Sequence, residues 1–187
     1  MKEQDLEIGI LKVPEYAAIL RLIHEQYPEH LATVVLAGFA GLRRCELGVQ
    51  RWEDIDLKRK LLRVSKAKSN TPSKRIVHLP DSALQWLRKC QSDEELIAPA
   101  WSMDRARAVI RKAGINCPSN GFRHSFITYR VAKTGNVDET SLEAGNSRDM
   151  IFKHYRELTA KDDGVAWFSL GPRKVGEMAQ STHLISA

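Results

Sequence analysis

The stretch Leu31–Ala40, LATVVLAGFA, is apolar nearly all round, and it constrains the fold more than any other part of the chain. A helix with no polar side has nothing to show to water, so it belongs at the centre of a domain with other elements packed around it. Gly41 follows at once and can take the left-handed conformation that ends a helix. Before it, Pro14 is tolerated in a first turn, and Tyr16, Ile19, Leu20 and Ile23 repeat at helical spacing. After it, a short helix is expected from about Arg44 to Arg51.

The texture then changes. Ile55–Leu57, Leu61–Val64 and Ile76–Leu79 are short aliphatic runs separated by charged or Asn-Thr-Pro turns, the pattern of a small antiparallel sheet. Helical spacing returns over Ala83–Cys90. It recurs in Met103, Ala106, Val109, Ile110 and Ala113, with Gly114 as a stop. Phe122, Phe126 and Tyr129 mark a further helix ending near Gly135. A short one closes at Gly145, and Ser147 can cap the next, which carries Tyr155. The fold class predicted is mainly α, with a small three-stranded antiparallel β-sheet on its flank.

The chain has 187 residues, 43% hydrophobic and 28% charged, ordinary for one domain with a real core. No apolar run approaches a membrane span, and the start, Met-Lys-Glu-Gln-Asp, lacks the hydrophobic segment of a secretory signal. A cytoplasmic protein without a membrane partner is the expectation. Cys45, Cys90 and Cys117 are odd in number and lack metal-ligand spacing, so reduced thiols are expected, with no metal.

A net charge of +6 permits a polyanionic partner without demanding one. Its distribution says more. From Lys58 to Arg75 the chain carries Lys58, Arg59, Lys60, Arg63, Lys66, Lys68, Lys74 and Arg75 with no acidic residue among them, and Arg105, Arg107, Arg111 and Lys112 form a second cluster. Such clusters neutralise phosphates and release counterions, although solvated surface faces look the same.

Four features carry possible chemistry. In Gly41-Leu42-Arg43-Arg44-Cys45-Glu46-Leu47, Glu46 lies within reach of Arg43 on one helical face. A guanidinium braced by a carboxylate makes a rigid phosphate clamp, although an ordinary surface ion pair fits equally well. In Asn120-Gly121-Phe122-Arg123-His124-Ser125-Phe126, a helix would put Asn120, Arg123 and His124 on one face and anchor Phe122 and Phe126 in the core. Lys68 falls in the turn region between the second and third strands, where an ammonium can reach a DNA groove. Tyr155 sits in Phe152-Lys153-His154-Tyr155-Arg156. A free phenol is only about a thousandth ionised at neutral pH, and neighbouring cations favour phenolate.

In this order and at these distances, the four features resemble the catalytic domain of the tyrosine recombinases, the phage integrase family. GLRRCEL resembles the first arginine box, with Arg43 as its arginine, and RWEDIDL the segment leading into the sheet. Lys68 falls in the hairpin of the family's lysine, with Lys66 competing. NGFRHSF resembles the second arginine box around Arg123, and EAGNSRDMIFKHYREL the stretch ending at the nucleophile, Tyr155. The resemblance covers roughly Ile10 to Leu170. It departs at Asn120, where histidine or lysine is usual, and at Asn146, where histidine or tryptophan is usual. A carboxamide can hydrogen-bond phosphate but cannot exchange protons near neutral pH. His124 or His154 can supply part of that help.

The resemblance implies metal-free, cofactor-free attack of Tyr155 on a DNA phosphodiester, giving a 3′-phosphotyrosyl link. Arg43 and Arg123 would hold the phosphate, with Asn120, Asn146 and His124 around it. Lys68 would protonate the departing oxygen, and Glu46 would orient Arg43. Arg44, Lys66, Lys74 and Arg75 are expected DNA contacts. The expected partner is double-stranded DNA, bound as a homo-tetramer on paired sites, with a monomer possible without DNA. Residues 1–170 are expected to form the catalytic domain and 171–187 a flexible tail. No segment of this sequence resembles the amino-terminal domain usual in the family, so a piece of a longer protein is one expectation. The apolar segment Val165–Leu170 either folds back on its own domain or docks onto a neighbouring subunit, and the resemblance is a reason to favour docking. Two other readings stand beside this one. The first is a DNA-binding module on the same fold that has lost cleavage. The second is a helical regulator with no phosphoryl chemistry.

Overall fold

The computed structural model describes residues 9–64, 75–90, 94–155 and 159–185, with 152–155 and 181–185 at the level of the backbone alone. The apolar stretch is helix α2 (Leu31–Ala40), and every one of its residues is buried. Around it pack α1 (Val13–Gln26), α4 (Asp81–Cys90), α5 (Ser102–Lys112) and α6 (Gly121–Thr134). The hydrophobic effect needs this cover, because a helix apolar on all sides gains only when all sides leave water.

Gly41 ends α2 with φ of 61°, and a Cβ there would lie 2.3 Å from the ring of Phe126. Both the left-handed backbone and the close approach of α6 therefore require glycine. The chain turns and starts α3 (Arg44–Leu47), which is shorter than the helix expected to reach Arg51. Gln50 explains the difference. Its buried side-chain amide donates to the Arg63 carbonyl at 2.8 Å and to Asp54, while the Gln50 backbone carbonyl accepts from the Ile97 N–H. These bonds anchor residue 50 to the sheet and the 94–99 loop in place of a helical turn.

The sheet is antiparallel in the order β1 (Ile55–Asp56), β2 (Leu61–Val64), β3 (Arg75–His78). Its register pairs Leu62 with Val77, Arg63 with Ile76 and Val64 with Arg75. Leu62, Val64 and Val77 are buried, whereas Arg63 and Ile76 are exposed. Since cross-strand partners share a face, Arg75 lies on the inner side with Val64.

Four helices follow α6 among the described residues. The first three are α7 (Val137–Ala144), α8 (Arg148–Tyr155) and α9 (Lys161–Trp167). Ser147 caps α8, its hydroxyl accepting from the Met150 backbone at 3.3 Å.

The expected docking of Val165–Leu170 onto a neighbour is not what the fold does with this segment. Trp167 is fully buried in its own domain, its ring stacked between Tyr16 at 4.2 Å and Tyr129 at 4.6 Å. Its indole N–H donates to the Gly38 carbonyl of α2 at 3.0 Å. Phe168 and Leu170 are buried as well. Gly164 permits this, since a Cβ there would meet the α6 backbone at 2.7 Å. Beyond it, α10 (Pro172–Ile185) is helix; it packs on α1 and α4, with Val175 buried.

Candidate active site

Arg43 stands at the junction between Gly41 and α3, as the extended residue that caps the helix. Its backbone N–H donates to Glu46 Oε2 at 2.8 Å, and its guanidinium reaches Glu46 Oε1 at 3.2 Å. The pair is no ordinary surface bridge, because Glu46 is 2% exposed while the Arg43 side chain is 39% exposed. The carboxylate is fixed inside and the guanidinium faces outward from it.

Glu46 has a second partner. Arg75 donates to it through both terminal nitrogens, one at 2.8 Å, and through Nε to the Glu143 carbonyl at 2.7 Å. Burial pushes the Glu46 carboxyl up, but hydrogen bonds from Arg75 and the Arg43 backbone, with the charges of both guanidiniums, outweigh this and hold it below the usual carboxylate range. Arg75 was expected among the DNA-contact cations. The structure corrects that expectation: its side chain is 11% exposed, and the strand register turns it inward as a brace for Glu46.

The second arginine rises from the first turn of α6, where Phe122 and Phe126 are buried as expected. Arg123 donates to the carbonyls of Gly41 and Ala144 and to Asn146 Oδ1. Arg43 donates to the Gly145 carbonyl at 2.7 Å and to the same Asn146 oxygen at 3.3 Å. Three consecutive carbonyls, those of Glu143, Ala144 and Gly145, therefore each accept from a different arginine. A helix C-terminus leaves such carbonyls without intrahelical donors and carries partial negative charge. The end of α7 is thus a platform on which Arg43, Arg75 and Arg123 are seated, and α8 departs from it.

Asn146 joins the guanidiniums of Arg43 and Arg123 through one oxygen, so they are brought together just before the helix that carries Tyr155. Asn120 is placed differently from the expected shared helix face. It precedes α6 in the left-handed conformation, φ 54°, with an exposed side chain. Its short polar side chain makes this backbone tolerable, and Gly121 after it completes a turn. His124 is half-buried, and burial first, then the Arg123 charge, lowers its pKa below 6.5. The shift favours the neutral imidazole. Arg44 is exposed and paired with Asp104 of α5. Lys66, Lys68 and Lys74 lie outside the described residues, and Tyr155 is described only as the last residue of α8.

Two of the four tyrosines are set aside by their burial. Burial raises Tyr16 well above its usual pKa, and Tyr129 is pushed to about 12 by burial, Asp163 and Glu15. Both hydroxyls already donate to backbone carbonyls, of Val34 and Leu11 respectively. Neither is a candidate nucleophile.

Sequence reasoning missed Glu143. Its carboxylate is buried and accepts from Arg130 Nε at 2.7 Å, Arg130 Nη2 at 2.9 Å, the His78 backbone at 3.0 Å and His78 Nδ1 at 2.8 Å. The available signal was its spacing from Thr140, which puts both on the buried stripe of α7. Among the described residues, His78, Glu139 and Glu143 form the one cluster of metal-ligand types, and the Arg130 guanidinium sits on both carboxylates. A cationic partner is already in place there.

The chain belongs to the phage integrase family, whose model matches residues 10–160. No curated protein matches it. Its fold is that of solved tyrosine recombinases. It is similar to XerA recombinase (19% identity, TM-score 0.68), over 87% of this chain and 64% of that one. A λ integrase dimer bound to a COC′ core site is similar at 20% identity and TM-score 0.64, over 83% and 61%. Tn1549 transposon integrase in complex with circular intermediate DNA follows at 16% identity and TM-score 0.63, over 84% and 65%. The chain thus spans less than two thirds of the length of each.

Proposed function

We propose that this chain is the catalytic domain of a DNA strand transferase that cuts and rejoins duplex DNA through a 3′-phosphotyrosyl intermediate. The observation that carries the reading is the convergence of Arg43 and Arg123 on one oxygen, Asn146 Oδ1, where the helix bearing Tyr155 begins. An acceptor atom held between two guanidiniums occupies the kind of place a nonbridging phosphate oxygen takes. Membership of the phage integrase family supports the reading, as do the DNA complexes of λ and Tn1549 integrases.

In this mechanism the Tyr155 phenol loses its proton and its oxygen attacks phosphorus. The bond to the departing 5′-oxygen breaks as the new P–O bond forms. Charge gathers on the nonbridging oxygens of the pentacoordinate transition state, where Arg43 and Arg123 hold it. Lys68, with Lys66 as the competing hairpin lysine, protonates the leaving alkoxide. His124, whose pKa burial lowers, can take up the phenol's proton, which the amides of Asn120 and Asn146 cannot. A 5′-hydroxyl from another strand reverses the attack. One phosphodiester replaces another of similar energy, so the exchange requires no nucleotide cofactor.

Glu46 acts through Arg43, and Arg44, Lys66 and Lys74 supply DNA contacts. The assembly is a homo-tetramer on paired sites, built through surfaces other than the buried side chains of Trp167, Phe168 and Leu170. The test is incubation with a nicked duplex followed by a denaturing gel. A protein band shifted by covalently attached DNA is expected. Salt-sensitive duplex binding with no such band would mark a binding module that does not cleave.

A further inference from the structure

We propose that Glu143 is a positioning residue for strand transfer, acting from beneath the arginines without touching the DNA. This rests on the reading that Arg43 and Arg123 hold the scissile phosphate.

The geometry is a two-layer support. The upper layer is the C-terminus of α7, whose carbonyls at 143, 144 and 145 accept from Arg75, Arg123 and Arg43. Backbone carbonyls orient guanidiniums only as well as the backbone itself is fixed. The lower layer fixes it. The Glu143 carboxylate, 2% exposed, takes both an Arg130 fork from α6 and two N–H groups of His78 at the end of β3. One side chain thus ties α7 to the helix that carries Arg123 and to the strand that carries Arg75.

A buried carboxylate is costly unless its charge and lone pairs are answered, and here they are answered four times. An apolar pair at 130 and 143 would fill the same space without that cost, so the ion pair is not explained by stability. What it adds is direction: a forked guanidinium fixes a carboxylate in its plane, whereas two aliphatic side chains can slide. Arg130 holds Glu139 as well, at 2.9 Å, so α7 is gripped at two successive turns.

The test is the double variant Arg130→Leu/Glu143→Leu, which removes the fork without leaving a buried charge unpaired. Cleavage is expected to fall by about 10²-fold, the effect of a misplacement near 1 Å, while duplex Kd and cooperative unfolding are retained. Nitrogen NMR signals of the Arg43 and Arg123 guanidiniums are expected to broaden or shift. Native cleavage with native guanidinium signals overturns the proposal. If the double variant does not fold, Arg130→Lys carries the test, since it keeps the charge and loses the fork. A smaller fall in cleavage at unchanged Kd is then expected, and a native rate overturns the proposal. If the unsubstituted chain forms no adduct at all, the strand-transfer reading fails, and the guanidinium signals alone decide the role of Glu143.

Discussion

Arg123 donates to the carboxamide oxygen of Asn146, and Arg43 reaches that same oxygen from its own side at 3.3 Å. A neutral oxygen between two cations is a weak occupant that an anionic phosphate oxygen can displace. Asn146→Asp replaces it with a carboxylate, which competes with phosphate for both guanidiniums. This variant should cleave more slowly than Asn146→Ala, even though aspartate is closer in shape to asparagine. Rates of adduct formation on one duplex check the order, and the reverse order contradicts the bridging role.

The arginines themselves should separate chemistry from binding. Arg43→Ala and Arg123→Ala each remove a donor to transition-state charge, with an expected loss of about 10²-fold or more in cleavage. Each is one of many phosphate contacts, so duplex affinity should change far less. Equal losses in cleavage rate and in Kd would make both residues ordinary DNA contacts.

Trp167 now belongs to stability and not to assembly. Removing a fully buried indole stacked on Tyr16 and Tyr129 should cost about 3–5 kcal/mol, and the Gly38 carbonyl loses its donor. Urea unfolding of Trp167→Ala should show the loss in an isolated, DNA-free chain. A native midpoint combined with poor assembly on paired sites would restore the docking idea.

Acid should weaken the fold in a defined window. Burial lowers both His30 and His124 below the ordinary value of 6.5. Unfolded histidines therefore take up protons before the folded ones do. The stability contribution is fully present above pH 6.5 and is lost as pH falls toward the lowered folded values. Glu46 adds a later loss, below the ordinary carboxylate value of 4.5, because its folded pKa is also lowered. Urea midpoints at about pH 7.5 and about pH 5.5 should differ in that direction, and His124→Gln should reduce the difference. A midpoint that rises on acidification would contradict the assignment.

The helices and the sheet were legible because their periods differ and glycines punctuate them. The all-round apolar α2 and the stops at Gly41, Gly135 and Gly145 appear where the residues put them; of the three aliphatic runs Leu61–Val64 keeps its ends, while the first strand stops at Asp56 and the third runs over Arg75–His78. Arg75 was not legible as a brace. In a run of cations it looks like any other, and only its register opposite Val64 turns it inward. The 164–170 segment was ambiguous for a similar reason. Trp167, Phe168 and Leu170 demand burial, but the slot between Tyr16 and Tyr129 is built from elements far apart in sequence. Asn120 carried a signal that was available, since an Asn-Gly pair favours a turn over a helix interior. The platform at the end of α7 had almost no signal, because its acceptors are backbone atoms and any residue supplies them.

The most direct measurement is to map the DNA-linked peptide. After trapping on a nicked duplex and digestion, mass spectrometry should find a 3′-phosphate ester on Tyr155. Tyr155→Phe should give no adduct while binding duplex with nearly native affinity, because one hydroxyl is lost and the cationic surface is kept. An ester on Tyr27, or an adduct that persists in Tyr155→Phe, would contradict the account.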